Sequence, residues 1–404
     1  MPNVVIVGAS HAAAEAVSSL RRFGFDGDIT LIGDEPMLPY QRPPLSKKYF
    51  TGDVTPEQLY IKGPDTYDKA GVIQMLGQRV SDIDRGERKV TLESGESVSY
   101  DYLILATGTR ARKLPVDGGE LPQIRYLRTL QDVDAIKQQL NPAARLLIVG
   151  AGYIGLEVAA SAVKQGIQVT VLEAMDRVLE RVTSPVVSEF YQRVHAEEGV
   201  EIRLQTALTE FVETGDGAAA VLADGEQIEF DLAIVGIGVV PNVELAEQAG
   251  LPCDNGIVVD EFTRTTDPRI FAVGDCSNHP SLIYDRPIRL ESVPNATGQA
   301  RTAAAAICGD DRAYNEVPWF WSDQYDIKLQ TVGLCQGYDE LVVRGDPAAR
   351  KFAVFYLQNA RLIAVDAINS PAEFMVSKKL IAAESEPDPK LLVDADVSLK
   401  SLLS

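Results

Sequence analysis

Two apolar runs, each breaking into small residues and then an Ala-rich stretch, recur 142 positions apart. The first is Val4-Val5-Ile6-Val7-Gly8-Ala9-Ser10-His11-Ala12-Ala13. The second is Leu146-Leu147-Ile148-Val149-Gly150-Ala151-Gly152-Tyr153-Ile154-Gly155-Leu156-Glu157. Each reads as a buried parallel strand feeding a helix whose N-terminal amides can hold a pyrophosphate. Two such units on one chain predict two dinucleotides, one carrying electrons and the other delivering them. A flavin–nicotinamide oxidoreductase is therefore the first expectation.

The second fingerprint is complete, with Gly150 for the tight turn, Gly152 for close pyrophosphate approach and Gly155 for helix–strand packing. Glu173 closes the following apolar run, where a carboxylate accepts the ribose 2′-hydroxyl and repels a 2′-phosphate, favouring NADH. Arg177 tempers that preference, because a nearby arginine accommodates the phosphate. The first fingerprint is degenerate: Ser10 and Ala13 stand where the second and third glycines belong, and Asp34 is the acid after its second strand.

The chain has 404 residues, too many for one ordinary core, and predicts two or three domains. Strand–helix–strand patterning over 4–7, 12–22 and 29–32 argues a parallel α/β sheet. The pattern restarts at Arg145 and closes with the apolar run 232–235 and Gly236. The run 270–275 and a helix from about 295 to 307 are expected to complete the first sheet. From about Tyr314 the character changes: 327–334, 340–344, 352–357 and 362–367 read as antiparallel strands, followed by a helix over 371–383. The expected fold class is α/β, with two Rossmann-like dinucleotide-binding domains plus a C-terminal α+β domain built on an antiparallel sheet.

No apolar stretch approaches the ~18–20 residues of a membrane helix, and Met1-Pro2-Asn3 leads straight into a strand. Neither a membrane span nor a signal peptide is expected. The formal net charge of −20 disfavours nucleic acid and anionic membrane as partners. Cys253, Cys276, Cys308 and Cys335 are widely spaced, which excludes a Cys-x-x-Cys redox or metal clip and fits a reducing cytoplasm. His11, His195 and His279 lack metal-ligand spacing, so no metal is expected.

Further segments make the reading specific. Ala106-Thr107-Gly108 and the run from Thr265 to Val273-Gly274-Asp275 resemble the remaining flavin-contact motifs of the two-dinucleotide-binding flavoprotein superfamily. In that superfamily the aspartate of the Gly-Asp pair binds the FAD ribityl chain, and Asp275 matches it. Within it, Pro43-Pro44-Leu45-Ser46-Lys47, Tyr126-Leu127-Arg128-Thr129, Glu291-Ser292-Val293-Pro294-Asn295-Ala296 and Pro318-Trp319-Phe320-Trp321-Ser322-Asp323-Gln324 resemble one branch. That branch is the NADH-dependent ferredoxin reductases of bacterial oxygenase systems, and the resemblance spans essentially the whole chain.

The resemblance implies FAD contacts at Gly8, Ser10, Ala12, Asp34, Lys47, Val80, Thr107, Gly108, Arg128, Asp275 and Val293. It implies NADH contacts at Gly150, Gly152, Tyr153, Ile154, Gly155, Glu173 and Gly236. Lys47 is expected near flavin N5, paired with Glu157, where a cation stabilises negative charge on the reduced ring. Trp319 and Trp321 are expected on opposite faces of an extended segment, with Trp321 covering the flavin edge where electrons leave. The absence of a cysteine pair, and of any C-terminal histidine, excludes disulfide reductase chemistry.

The implied domains are FAD-binding over 1–111 and 239–314, NAD-binding over 112–238, and C-terminal over 315–404. The implied activity carries electrons from NADH through FAD, one at a time, to a [2Fe–2S] ferredoxin. That ferredoxin would supply a haem monooxygenase or ring-hydroxylating dioxygenase. A local basic patch near Arg301 is expected to meet the acidic ferredoxin, and the chain is expected as a monomer or weak homodimer. The alternatives are a flavoprotein reductase of rubredoxin, oxygen or a quinone, and a flavin-binding, NADH-responsive interaction protein.

Overall fold

β-Branched and leucine residues crowd both fingerprint runs. In the computed structural model, which describes residues 1–215 and 217–403, each forms a strand buried beyond its first residue, Asn3–Val7 and Arg145–Val149. Strands covered on both faces read as continuous apolar runs rather than alternations, and that is what both segments are. The chain divides into two compact units.

The first unit comprises Met1–Gln41, Glu57–Arg110 and Val240–Pro318. Its centre is a five-stranded parallel sheet in the order Ile270–Ala272, Tyr102–Leu105, Asn3–Val7, Asp28–Gly33, Val72–Leu76. Val7 lies opposite both Ile32 and Leu105, so the strands end level with one another. One face is covered by the helices His11–Arg22 and Val293–Ile307, whose alanines allow close packing. The other face is covered by an antiparallel sheet, Val80–Asp84, Lys89–Leu92 and Ser97–Ser99, through Val80, Ile83, Val90 and Leu92. Each such fully buried aliphatic side chain contributes roughly 1.5–3 kcal/mol.

The second unit comprises Arg42–Pro56, Ala111–Val239 and Trp319–Ser404. It holds a second five-stranded parallel sheet in the order Glu201–Arg203, Gln168–Leu172, Arg145–Val149, Leu232–Val235, Ile124–Tyr126. The helix Leu130–Gln139 begins with a reciprocal cap: Thr129 Oγ1 accepts from the Asp132 amide, and Asp132 Oδ2 accepts from the Thr129 amide. The C-terminal part is an antiparallel sheet in the order Trp319–Gln324, Ile327–Gly333, Arg361–Ile368, Lys351–Gln358, Glu340–Asp346, with the helix Pro371–Ala382 packed on it.

Several element ends differ from the sequence reading, and Arg42–Pro56, expected within the FAD-binding segment 1–111, belongs to the second unit. The helix expected from about 295 starts at Val293, because Pro294 suits a first turn and Ser292 Oγ accepts from the Asn295 amide. The strand expected over 270–275 stops at Ala272, and Gly274–Cys276 turns as a 3-10 segment with Gly274 at φ +81°. Among the described residues no helix is long and apolar enough to cross a membrane.

Candidate functional site

In the first unit, level strand ends gather five of the expected flavin residues along one edge of the sheet, whereas Lys47 and Arg128 lie in the second unit. Gly8 follows Asn3–Val7, Asp34 follows Asp28–Gly33, Thr107 and Gly108 follow Tyr102–Leu105, and Asp275 follows Ile270–Ala272. Ligands bind beyond the carboxyl ends of such strands. Gly8 sits at φ +111°, and a Cβ there would stand 2.1 Å from the Ala106 carbonyl oxygen. No larger residue fits. Ser10 occupies the N-cap position of the helix His11–Arg22 without a side-chain capping hydrogen bond, and the first turn carries no acid to compete with a phosphate. Ala12 and Ala296 approach Gly274 so closely that a Cβ on it would meet theirs at 3.6 and 3.5 Å.

Thr109 Oγ1 donates to Asp275 Oδ2 at 3.4 Å, and the turn bearing Asp275 is braced from beneath. There Gln299 Oε1 accepts from the Gly274 amide at 2.6 Å and from Ser277 Oγ at 2.7 Å. Asn242, absent from the expected set, clamps the Thr-Gly turn. Its Nδ2 donates to the Thr107 carbonyl at 2.8 Å, and its own carbonyl accepts from Thr107 Oγ1 at 2.7 Å. Asp34 is exposed, Val80 is buried on its antiparallel strand, and Val293 opens its helix.

In the second unit the complete fingerprint forms the loop before the helix Tyr153–Val163. Gly150 is at φ +103° with a hypothetical Cβ 2.6 Å from the Gly236 carbonyl oxygen, and one on Gly155 would lie 2.2 Å from the Gly150 carbonyl oxygen. A Cβ on Gly152, by contrast, meets nothing within 4 Å. No side chain caps this helix and its first turn has no acid. Open space beside uncapped helix amides fits a pyrophosphate. Ile154 is exposed, while Tyr153 packs edge-on against Phe320 at 4.8 Å with its hydroxyl buried and unpartnered.

Glu173 Oε2 accepts from the Ala151 amide at 2.7 Å, and Oε1 from the Met175 amide at 2.9 Å. The carboxylate is thus held against the glycine loop. Arg177 is committed elsewhere: Nη1 donates to the Thr183 carbonyl and Ser188 Oγ, and Nη2 to the Glu180 carbonyl. Its guanidinium is engaged by the protein itself, so the allowance made for a 2′-phosphate loses its basis.

Lys47 and Glu157 meet within this unit, Nζ to Oε2 at 2.6 Å, with both side chains largely buried. Glu157 is 3% exposed and not a helix-surface acid. Two serines that the sequence reading missed complete its shell. Ser46 Oγ donates to Oε2 and Ser322 Oγ to Oε1, each at 2.6 Å. Both lie inside motifs already quoted, and their signal was a small hydroxyl beside a lysine or among aromatics. Arg128 is fixed by its backbone, its amide donating to Asp132 Oδ2 at 3.0 Å and its carbonyl accepting from Arg42 Nη1 at 2.8 Å.

Trp319 and Trp321 do not point to opposite faces. Residues two apart on a strand share a face, and the two rings lie 5.7 Å apart at 34°. Trp319 also packs 5.5 Å from Phe374. Phe320, Ser322 and Gln324 take the opposite face of Trp319–Gln324, which is why Ser322 reaches Glu157. Arg301 is also no bare cation, since it pairs with Glu15 and Glu316 at 3.7 and 3.3 Å. All four thiols are free, and burial pushes each upward, Cys253 to about 11 and Cys335 to about 12. None is poised as a thiolate at neutral pH.

Comparison with known proteins identifies the family. Residues 2–300 match the family model described as pyridine nucleotide-disulphide oxidoreductase, and residues 319–403 match the one described as reductase C-terminal. The chain is 47% identical to putidaredoxin reductase CamA of Pseudomonas putida over 408 residues, covering 100% of this chain and 97% of that one. It is 45% identical to rhodocoxin reductase of Rhodococcus erythropolis, covering 98% and 93%. Its structure matches the crystal structure of the covalent putidaredoxin reductase–putidaredoxin complex with a TM-score of 0.96 at 47% identity, covering 100% and 98% of the two chains. The chain belongs to the pyridine nucleotide-disulphide oxidoreductase family.

Proposed function

We propose that this protein is an FAD-dependent NADH:ferredoxin reductase that passes electrons singly to a [2Fe–2S] ferredoxin serving an oxygenase. One observation carries the reading. A buried Lys47–Glu157 ion pair stands beside Pro43–Ser46, a segment with no cysteine, in a chain whose thiols are all held protonated. Such a centre suits hydride acceptance and is useless for disulfide exchange. Bound FAD supplies the conversion of hydride delivery into single-electron release.

The chain's own residues do the rest. Asp275 and the Gly8 turn hold the flavin nucleotide, on domains 1–111 and 239–314. The Gly150–Gly155 loop and Glu173 hold NADH, on domain 112–238. Lys47 places its ammonium where the reduced ring gathers charge, and Glu157 with its two serines fixes that ammonium. Trp319 and Trp321 form a tilted pair on one strand face, and Trp321 is assigned to the flavin edge. Sparse free cysteines and the demand for NADH fit the cytoplasm.

The relatives support the acceptor by name: one is a reductase of putidaredoxin and another of rhodocoxin. The test is purified yellow protein given NADH and cytochrome c, with and without a [2Fe–2S] ferredoxin. Rapid cytochrome reduction only with the ferredoxin is expected. Equal turnover with rubredoxin, oxygen or a quinone alone, or colourless protein that takes up no flavin, overturns the proposal.

A further inference from the structure

Beyond Glu157 the hydrogen bonds continue into the protein. Ser322 Oγ, which donates to Glu157 Oε1, accepts from Gln324 Nε2 at 3.2 Å. Gln324 Oε1 lies 2.8 Å from His195 Nε2, and His195 Nδ1 lies 3.0 Å from the Tyr325 hydroxyl. Ser322, Gln324 and His195 are all but fully buried. Every link lies in the second unit.

The chemistry of each group leaves one polarity. Glu157, ion-paired with Lys47, only accepts, so Ser322 spends its single proton there. The Ser322 oxygen must then accept, which turns the Gln324 amide nitrogen towards it and the amide oxygen towards His195. That oxygen only accepts, so His195 carries its proton on Nε2 and its Nδ1 receives the Tyr325 hydroxyl proton.

Tyr325 itself supports the argument. It is the first residue of the two-residue turn joining Trp319–Gln324 to Ile327–Gly333, and it sits at φ +55°. A turn of that kind favours glycine at this position. A tyrosine held there is strained, and its hydroxyl and ring both engage His195, the rings 5.1 Å apart.

Resting on the functional reading above, we propose that His195 and Gln324 are positioning residues for hydride acceptance. With Tyr325 they form a one-way hydrogen-bond chain that locks Ser322 as a donor and so holds the Glu157 carboxylate turned to Lys47. Glu157 is faced by Lys47 and Ser46 from the segment before the helix, by Ser322 from the strand, and by Tyr191 from the helix Pro185–Glu197. His195 is faced by Gln324 and Tyr325, with Glu198 acting on Tyr325 and Lys164 5.8 Å from its ring. Burial lowers His195 to about 4, so the ring stays neutral at working pH.

The test begins with a spectrum of the wild-type protein. The protein has three histidines, so ¹⁵N-histidine NMR of the holoenzyme, assigned with His195→Gln, resolves each ring. His195 is expected as a single neutral Nε2–H tautomer from about pH 5.5 to 8. An Nδ1–H tautomer, or a ring titrating near its ordinary value, overturns the proposal. The second readout is reduction of the bound flavin at saturating NADH. It is expected to slow about tenfold in His195→Leu and Gln324→Leu, as a misaligned reacting centre would. It should return to within about twofold of wild type in His195→Gln, whose Nε2 donates from the same place. A role in packing alone predicts no such rescue. If wild-type flavin is not reduced by NADH, the functional reading fails; if it is and both leucine variants match it, this inference fails.

Discussion

Replacing Gly152 by alanine separates ligand binding from folding, because the structure places this glycine apart from its two neighbours. A Cβ on Gly150 or Gly155 would stand within 2.6 Å of a backbone oxygen, whereas on Gly152 it meets no atom within 4 Å and φ is an ordinary −78°. Alanine at a helix N-cap costs roughly 0.5–1 kcal/mol against glycine. The lost backbone freedom of the unfolded chain returns roughly 0.4–1 kcal/mol. Folding stability is therefore expected within about 1 kcal/mol of wild type by urea titration. The methyl group occupies the space a pyrophosphate needs to reach the helix amides. Loss of one hydrogen bond to a charged group costs about 1.5–3 kcal/mol, so Kd for NADH should rise about 10- to 150-fold. Isothermal titration calorimetry on the flavin-loaded protein, with the flavin already reduced and oxygen excluded, measures it, and flavin content should not change. A folded Gly152→Ala protein that binds NADH as wild type does would refute placement of the pyrophosphate at this loop.

Three other outcomes follow from the same geometry. Glu173→Arg should shift the ratio of NADH to NADPH efficiency towards NADPH by tenfold or more, on the order of one charged hydrogen bond exchanged for another; unchanged selectivity removes Glu173 from the ribose. Asp275→Ala should lower flavin retention through gel filtration, and a fully yellow, tightly loaded variant would count against its role. Burial lowers both His195 and His279 to about 4, so the native state stays unprotonated where the unfolded chain takes up protons. Stability present above about pH 6.5 should fall as pH drops towards 4, by on the order of several kcal/mol for the pair. A urea midpoint independent of pH across that window would show that these rings are not held neutral.

Much of the site was readable because it is local in sequence. A strand, a glycine turn and a helix start occupy about ten consecutive residues, and their geometry follows from φ signs and backbone clearance. Lys47 was reached through a motif and Glu157 through its place two residues past a glycine. What stayed hidden was everything that depends on which side chain faces which. Ser46 and Ser322 close on Glu157 from 111 and 165 positions away. Asn242 clamps Thr107 across 135. The tryptophan pair was misassigned even locally, because two-residue spacing on a strand puts both rings on one face.

The amino-acid order alone determined two nucleotide-binding units, their strand–turn–helix geometry and the absence of thiol chemistry, since backbone sterics and apolar runs act over a few neighbouring residues. Only the tertiary structure decided that Arg177 is consumed by its own surroundings, that Arg301 is paired with two acids, and that Glu157 heads a buried chain reaching Tyr325. Those outcomes rest on distance and direction between polar atoms far apart in the chain. Burial makes the contacts of Arg177 and Glu157 costly to leave unmet, and no local pattern encodes where any of these partners will be found.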